Sequence, residues 1–156
     1  MTTAVDTNIL LDILIPNTAF LDASRAALGT AYTEGSLIIN DVVFAELASQ
    51  FGRQKDIELF LSDTGIHLQS TTTGALYLAS RAWNVYHKRK KGLVCSSCGK
   101  QHQPVVCTGC RQTIQVRQHI IGDFLIGAHA VHLADRLLTR DRGFYKTYFK
   151  DLKLIS

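Results

Sequence analysis

Four acidic residues stand where short apolar runs give way to amphipathic ones. Asp6 lies in "AVDTNILLDIL", Glu46 in "DVVFAELASQ", Asp123 at the start of "DFLIGAHA" and Asp141 in "LLTRDRGF". Each alone has a structural explanation, because a carboxylate at a helix N-terminus accepts unpaired N–H groups and complements the helix dipole. Glu46 fits that explanation least, since it lies about a turn inside its helix among apolar residues, where an unpaired charge is costly.

Clustered carboxylates are the oxygen ligands that Mg²⁺ and Mn²⁺ prefer. One or two such ions can activate a water and stabilise the attacking and leaving oxygens of an in-line displacement at phosphorus. The four acids therefore predict metal-dependent hydrolysis of a phosphodiester, provided that the fold brings them together.

Four cysteines lie close together in "CSSCGKQHQPVVCTGC", as two C-x2-C pairs. They are Cys95, Cys98, Cys107 and Cys110. Two such pairs are typical of a structural zinc site. Disulfides are the alternative, although secreted proteins usually spread their cysteines along the chain. A redox role is weaker, because neither pair begins a helix after a strand.

The chain has 156 residues, with 46% hydrophobic and 19% charged residues and a net charge of +4. This composition indicates one folded domain over 1–156. No apolar run approaches the roughly 20 residues that span a membrane, and no signal peptide is recognisable. We therefore expect a soluble cytoplasmic protein. Basic residues gather at 87–91 and from 136 to 153, which fits a solvated surface but favours a nucleic-acid partner when taken together.

Strand-like runs alternate with amphipathic helical runs along the chain. Strands are predicted at 3–5, 36–40, 66–69, 136–139 and 152–155. Helices are predicted at 7–14, 18–33, 41–51, 54–63, 73–89, 121–134 and 142–149, with Asn17 and Asp41 as N-caps. The alternation predicts an α/β domain with a parallel sheet. Residues 92–114 break the alternation and are interpreted as a small zinc-binding insertion into that domain.

The segments "AVDTNILLDIL", "FAELA", "DFLIGAHA" and "LLTRDRGFY" together resemble the PIN domain family, and within it the VapC-type toxins of toxin–antitoxin pairs. The resemblance covers positions 3–155 apart from the cysteine segment. It implies a parallel sheet of about five strands flanked by helices. It also implies Mg²⁺- or Mn²⁺-dependent cleavage of single-stranded RNA by a metal-activated water, leaving a 3′-hydroxyl and a 5′-phosphate.

The same resemblance assigns roles to individual residues. The implied metal-binding acids are Asp6, Glu46, Asp123 and Asp141. Asn8 and Thr139 match positions that support those acids through hydrogen bonds. Asp12 matches a frequent acid of the first motif, but it falls further along the helix and is expected to be structural or peripheral.

Basic residues near the acids are candidate contacts for RNA phosphates. Arg140 and Arg142 flank Asp141, with ordinary surface charge as the alternative. The run Lys88, Arg89, Lys90 and Lys91 precedes the cysteine segment, which sits in the loop before the third acid. We expect this segment to form part of an RNA-binding rim; the alternative is that zinc only orders a long loop.

Three functions are compatible with these residues. The leading prediction is a ribonuclease toxin neutralised by a cognate antitoxin, with a homodimer implied by the resemblance. A housekeeping RNA-processing nuclease of the same fold is the second. A non-catalytic, zinc-containing module that binds RNA or protein is the third, and the complete set of four acids argues against it.

Overall fold

The structure, a computed structural model, describes residues 1–16, 18–88, 100, 102, 105–113 and 119–156. The strands are β1 (Thr2–Val5), β2 (Ser36–Ile39), β3 (Ile66–Leu68), β4 (Arg136–Leu138) and β5 (Leu154–Ile155). The helices are α1 (Thr7–Leu14), α2 (Leu21–Glu34), α3 (Asp41–Ala48), α4 (Gln54–Thr64), α5 (Thr73–Lys88), α6 (Ile121–Leu133) and α7 (Arg142–Tyr148). The predicted α/β class is confirmed.

The five strands form one parallel sheet in the order β3-β2-β1-β4-β5. From β1 the chain moves outward to β2 and β3, then returns to β4 on the other side of β1. The direction of winding therefore changes between β1 and β4, and such a switch point opens a crevice beyond the carboxyl ends of the two strands. Asp6 follows β1 directly, and residues 139–141 follow β4.

The central strands are buried, as expected for a parallel sheet that is covered on both faces. Three consecutive residues are buried in each of β1, β2 and β4, whereas only the first residue of β3 is buried and β5 is half-buried. Fully buried side chains of the helices pack around this sheet, among them Leu10, Leu47 and Phe124. The core thus fixes the strand ends from which the candidate acids project.

Helix α6 packs very closely against the segment that follows α7. A Cβ at Gly127 would come within 2.4 Å of the Phe149 ring, so only glycine fits there without displacing that ring. This contact fixes the helix whose first turn carries Asp123.

The predicted ends of α4, α6 and α7 are each one residue away from those in the structure, and the larger differences concern α2 and α3. Helix α2 begins at Leu21 rather than 18, and its predicted N-cap, Asn17, lies outside the described residues. The N-cap of α3 is Asn40, whose Oδ1 accepts the Val43 N–H at 2.9 Å, and not Asp41. Asp41 is the first helical residue, and its carboxylate accepts the Thr71 N–H at 2.9 Å, which lowers the pKa of Asp41. Helix α3 ends at Ala48 rather than 51 because the chain turns there.

Among the helices in the described part of the chain, none is long and apolar enough to cross a membrane.

Candidate active site

A cavity of about 410 Å³ opens at the carboxyl edge of the sheet, beside β1 and β4. All four predicted acids contribute to its wall. The lining residues are Asp6, Thr7, Asn8, Leu11, Glu46, Ser49, Gln50, Asp123, Ile126, Asp141 and Tyr145. None of these eleven residues is basic. A larger groove of about 710 Å³ lies beside β3, but Glu58 is the one acid in its described lining, so the chemistry is concentrated in the smaller cavity.

Asp6 is the most buried of the four acids, with 6% of its surface exposed. It occupies the N-cap position of α1 without making a side-chain capping bond, so its carboxylate is directed to other partners. Thr139 Oγ1 and Asn8 Nδ2 both donate to Asp6 Oδ2, at 2.6 and 2.7 Å. Burial raises the pKa of Asp6 to about 6, the Thr139 hydrogen bond opposes that rise, and the negative charge of Asp123 adds to it.

Asn8 and Thr139 link the ends of β1 and β4. Asn8 Nδ2 also lies 3.3 Å from Thr139 Oγ1, and Asn8 Oδ1 accepts the Arg140 N–H at 3.3 Å. Thr139 is fully buried. These contacts hold Asp6 in one orientation, which is the geometry expected of residues that support a ligand.

Glu46 reaches the cavity from the second turn of α3. Its carboxylate accepts a hydrogen bond from the Thr7 hydroxyl, at the start of α1. The side chain is half-buried and lines the same cavity as Asp6. A charge inside this helix is therefore tolerated because it is directed to the cavity and not into the core.

Asp123 lies in the first turn of α6. Its Oδ2 accepts the Ile120 N–H at 2.9 Å and lies 3.4 Å from His119 Nδ1. The His119 ring stacks on Phe144, with centroids 4.1 Å apart. Asp123 therefore caps its own helix while about a third of its side chain remains exposed, at 35%.

Asp141 is the N-cap of α7 and is exposed. Its Oδ1 accepts the Phe144 N–H at 3.2 Å, and its own N–H donates to Thr139 Oγ1 at 3.0 Å. Asp141 thus caps a helix and also lines the cavity, so its structural and functional roles are compatible.

Tyr145 is a lining residue that the sequence interpretation missed. Its side chain is 1% exposed, and its hydroxyl hydrogen-bonds to Asp6. Burial raises the pKa of Tyr145 well above its usual value, and the charges of Asp6, Asp123 and Asp141 raise it further. A tyrosine three residues after a helix begins looks like an ordinary core residue, and its position in "RDRGFY" is the only sequence signal that could have indicated otherwise.

The four carboxylates that line the cavity are suitable ligands for a hard divalent cation, although they are spread apart. In the described part of the chain, no three Asp, Glu, His or Cys side chains are arranged so that they could hold a metal ion. Like charges repel, and Glu46, Asp123 and Asp141 each accept a hydrogen bond from a nearby donor. The set consists of oxygen donors, which suits Mg²⁺ or Mn²⁺. Burial raises the pKa of Asp6 in spite of its hydrogen bonds, and a bound cation would offset the cost of burying its negative charge.

The predicted phosphate-binding residues differ in their contacts. Arg140 Nε lies 2.8 Å from the buried carboxylate of Asp12. Arg142 and Lys88 are exposed, and no carboxylate of the described residues lies within 4 Å of their charged groups. Arg89, Lys90 and Lys91 lie outside the described residues.

The second cysteine pair lies in a short hairpin. Val106 bridges Thr113 in antiparallel fashion, and Cys107 N–H donates to the Gln112 carbonyl at 2.9 Å. Backbone N–H groups of Cys110 and Gly109 hydrogen-bond to the Cys107 sulfur and lower the pKa of that thiol. Cys107 and Cys110 are both free thiols.

The first pair, Cys95 and Cys98, lies outside the described residues, as does about half of the predicted 92–114 insertion. The zinc site remains a prediction.

Several solved structures share this fold. VapBC2 from Rickettsia felis, bound to a DNA fragment from its promoter, matches with a TM-score of 0.61 and 17% identity, over 99% of this chain and 98% of the other. VapBC-1 from nontypeable Haemophilus influenzae gives 0.62 and 16%, over 100% and 98%. FitAcB from Neisseria gonorrhoeae gives 0.51 and 15%, over 99% and 96%.

The sequence matches no family model and no curated protein. The likeness to the solved structures is therefore one of fold, and it extends over nearly the whole chain. The predicted fold is confirmed: the chain has a PIN-like fold.

Proposed function

We propose that this protein is a metal-dependent endoribonuclease that cleaves single-stranded RNA. The observation that carries the proposal is the cavity at the switch point between β1 and β4, whose described lining includes four carboxylates and no basic residue. Such a cavity suits a divalent cation and a phosphodiester better than it suits an anionic or apolar ligand.

Asp6, Glu46, Asp123 and Asp141 would hold Mg²⁺ or Mn²⁺. When bound, the cation would lower the pKa of a water and offset negative charge on the phosphate under attack. Asp6 would be fully ionised in that state, since a nearby positive charge lowers the pKa of a carboxyl group. Asn8 and Thr139 would keep the Asp6 carboxylate in place through the hydrogen bonds described above.

The RNA would be held through its phosphates. Arg142 follows Asp141 directly and is exposed, so its guanidinium is available to an RNA backbone crossing the cavity mouth. Lys88 ends α5, and the predicted contacts at Arg89, Lys90 and Lys91 continue from it. Arg140 was predicted to act in the same way, but its ion pair with Asp12 favours a different role.

A cleavage assay tests the proposed activity. Labelled single-stranded RNA is incubated with the wild-type protein and Mg²⁺ or Mn²⁺, with Asp6→Asn and with excess EDTA. We expect cutting that is lost in the variant and in EDTA, and products with a 3′-hydroxyl and a 5′-phosphate. If Asp6→Asn leaves both RNA binding and the cellular phenotype unchanged, the non-catalytic binding module becomes the better account.

We further propose that the protein is the toxin of a toxin–antitoxin pair. The support is that the structures of similar fold named above are VapBC and FitAcB complexes. Growth arrest on expression, relieved by the product of an adjacent gene, would separate a toxin from a housekeeping RNA-processing nuclease. The homodimer and the cytoplasmic location stay predictions; light scattering at several protein concentrations tests the first.

A structural zinc ion bound by the four cysteines is a separate proposal. Its support is the hairpin around Cys107, in which the backbone N–H groups of Gly109 and Cys110 hydrogen-bond to the sulfur and favour the thiolate that zinc requires. We expect about one zinc per chain in wild-type protein and none after Cys107→Ser with Cys110→Ser. The rim hypothesis is tested by Cys95→Ser with Cys98→Ser: RNA affinity that survives in a folded variant means that zinc only orders the loop.

A further inference from the structure

The guanidinium of Arg140 is engaged with the first two helices. Its Nε lies 2.8 Å from Asp12 Oδ2, and its Cζ lies 4.2 Å from the centroid of the Phe20 ring. The Asp12 side chain is 4% exposed and also accepts a hydrogen bond from Ser24 in α2, at 2.7 Å. Arg140 is thus the ion-pair partner of a buried carboxylate.

The backbone of Arg140 is tied to the acid cavity. Its N–H donates to Asn8 Oδ1 at 3.3 Å, and Asn8 in turn holds Asp6. Its two neighbours in sequence are Thr139 and Asp141, which both belong to the site. The turn of residues 139–141 is therefore fixed to α1 through its backbone at Asn8 and through a side chain at Asp12.

The ion pair leaves Arg140 poorly suited to hold a phosphate. A guanidinium that already faces a carboxylate and an aromatic ring would have to leave both, and Asp12 would then be a buried charge without its cationic partner. Phosphate binding by Arg142 would break no ion pair of the described residues, because no described carboxylate lies within 4 Å of its guanidinium.

We propose that Arg140 is a positioning residue, which holds the turn of residues 139–141 against α1 through Asp12 and so keeps Thr139 and Asp141 in place for the cation. The inference rests on the proposed function where cation binding and cleavage are concerned. The position of the turn itself can be measured without either.

The experiment uses Arg140→Gln, Asp12→Asn, the double variant and Arg140→Lys. Mn²⁺ affinity is measured by titration calorimetry, and kcat and KM are measured on single-stranded RNA. Each neutral single variant should weaken Mn²⁺ binding by about 10-fold, the usual effect of losing a contact behind a metal ligand, with little change in KM. The double variant should be no worse than the worse single variant, and Arg140→Lys should recover part of the loss.

A phosphate-binding role predicts the opposite pattern. Arg140→Gln would then raise KM and weaken its salt dependence, as Arg142→Gln should, while Asp12→Asn would leave KM unchanged or lower it. That result would overturn the inference.

Hydrogen exchange separates failure of this inference from failure of the proposed function. In cation-free protein, Arg140→Gln and Asp12→Asn should both speed exchange of the Thr139 and Asp141 amides relative to amides of α4. If wild-type protein binds Mn²⁺ and the variants have the same Mn²⁺ affinity and the same exchange rates, the positioning role alone is refuted. Wild-type protein that binds no Mn²⁺ refutes the proposed function, and the exchange rates still decide the role of Arg140. The double variant buries no unpaired charge, so it remains measurable if Arg140→Gln fails to fold.

Discussion

The two edges of the central sheet both contain buried charged residues, and they differ in how those charges are compensated. At the amino edge, where the parallel strands begin, the Arg136 side chain is 7% exposed and forms an ion pair with Glu34. Its Nε also donates a hydrogen bond to Thr3 Oγ1 at 2.9 Å. At the carboxyl edge, the acids line a cavity without a basic side chain in its described lining. The amino edge is built to be satisfied within the chain, whereas the carboxyl edge leaves negative charge for something else to neutralise.

This difference separates residues that stabilise the fold from residues that carry function. Structural ion pairs and active sites can both hold buried charges, but a buried group in a cleft whose pKa is displaced and which has no opposite charge beside it is a candidate for function. Asp6 meets that description, because burial raises its pKa to about 6. Arg136, in contrast, is paired with Glu34. Substitutions at the two edges should therefore affect different measurements.

The largest expected effect is on catalysis at the carboxyl edge. Glu46→Gln keeps the size of the side chain and its contact with Thr7, but removes one negative charge from the proposed cation site. We expect kcat on single-stranded RNA to fall about 10²- to 10³-fold, the scale of losing one group that stabilises charge in a transition state. The free energy of unfolding should not fall, as denaturant titration can check. Cleavage that stays within twofold of wild type would place Glu46 outside the site.

The next effect concerns pH and stability in cation-free protein. A carboxyl group whose folded-state pKa is raised from 3.8 to about 6 stabilises the fold fully below its unfolded pKa, and this stability is lost as pH rises through the folded pKa. The free energy of unfolding in EDTA should therefore fall between about pH 4 and pH 7, by about 3 kcal/mol at most for a shift of this size.

Asp6→Asn serves as the control, because it removes the titrating group and should flatten that slope. The lowered pKa of Asp41 acts in the opposite direction and only below its usual value, so the two effects occupy different pH ranges. An equally steep slope in the variant would assign the effect to another group.

A smaller effect is expected at the amino edge. Arg136→Met keeps the apolar part of the side chain but leaves the Thr3 hydroxyl buried without its donor and removes the pairing with Glu34, which is 44% exposed. We expect unfolding to become easier by about 2 kcal/mol, with kcat unchanged within about twofold.

Arg53→Met is the matched control for this pair. Arg53 is 79% exposed and pairs with Asp56 on the surface, so its loss should change stability by less than about 0.5 kcal/mol. If both variants lose the same stability, the distinction between a buried and a surface pair is wrong.

The smallest effect is expected at Tyr145. Tyr145→Phe removes one hydrogen bond to Asp6 and leaves the ring packed. A single hydrogen bond has a net worth of about 1 kcal/mol, so Mn²⁺ affinity should weaken about fivefold. Tyr77→Phe, on the exposed face of α5, should leave the affinity unchanged. An unchanged affinity in Tyr145→Phe would leave the tyrosine as a packing residue only.

Much of the fold could be predicted because its elements are specified locally. The run at 7–14 is amphipathic and stops before Pro16, and it forms the helix Thr7–Leu14. Apolar runs placed the parallel strands within a few residues, although β5 is shorter than 152–155. The cap of α3 was misplaced by one residue because Asn40 and Asp41 are both good capping residues, and only the β-sheet conformation of Asn40 decides between them.

The candidate site could be predicted only in part. The carboxyl ends of parallel strands share one edge, so the placement of Asp6 and Asp141 at the same edge follows from the alternation of strands and helices. That they line the same cavity depends on the pairing of β1 with β4, which the sequence does not reveal. Tyr145 and Arg140 could not be interpreted in this way, because their partners, Asp6 and Asp12, are far away in sequence and are brought close only by tertiary packing.

The central claim is that the carboxyl edge of the sheet binds a divalent cation, and calorimetric titration of Mn²⁺ tests it most directly. Wild-type protein stripped with EDTA, Asp6→Asn and Arg136→Met would be titrated at pH 7.5. The account predicts that wild type and Arg136→Met bind Mn²⁺ alike and that Asp6→Asn binds it at least about 10-fold more weakly. Equal binding by wild type and Asp6→Asn, or no binding by folded wild type, would contradict it.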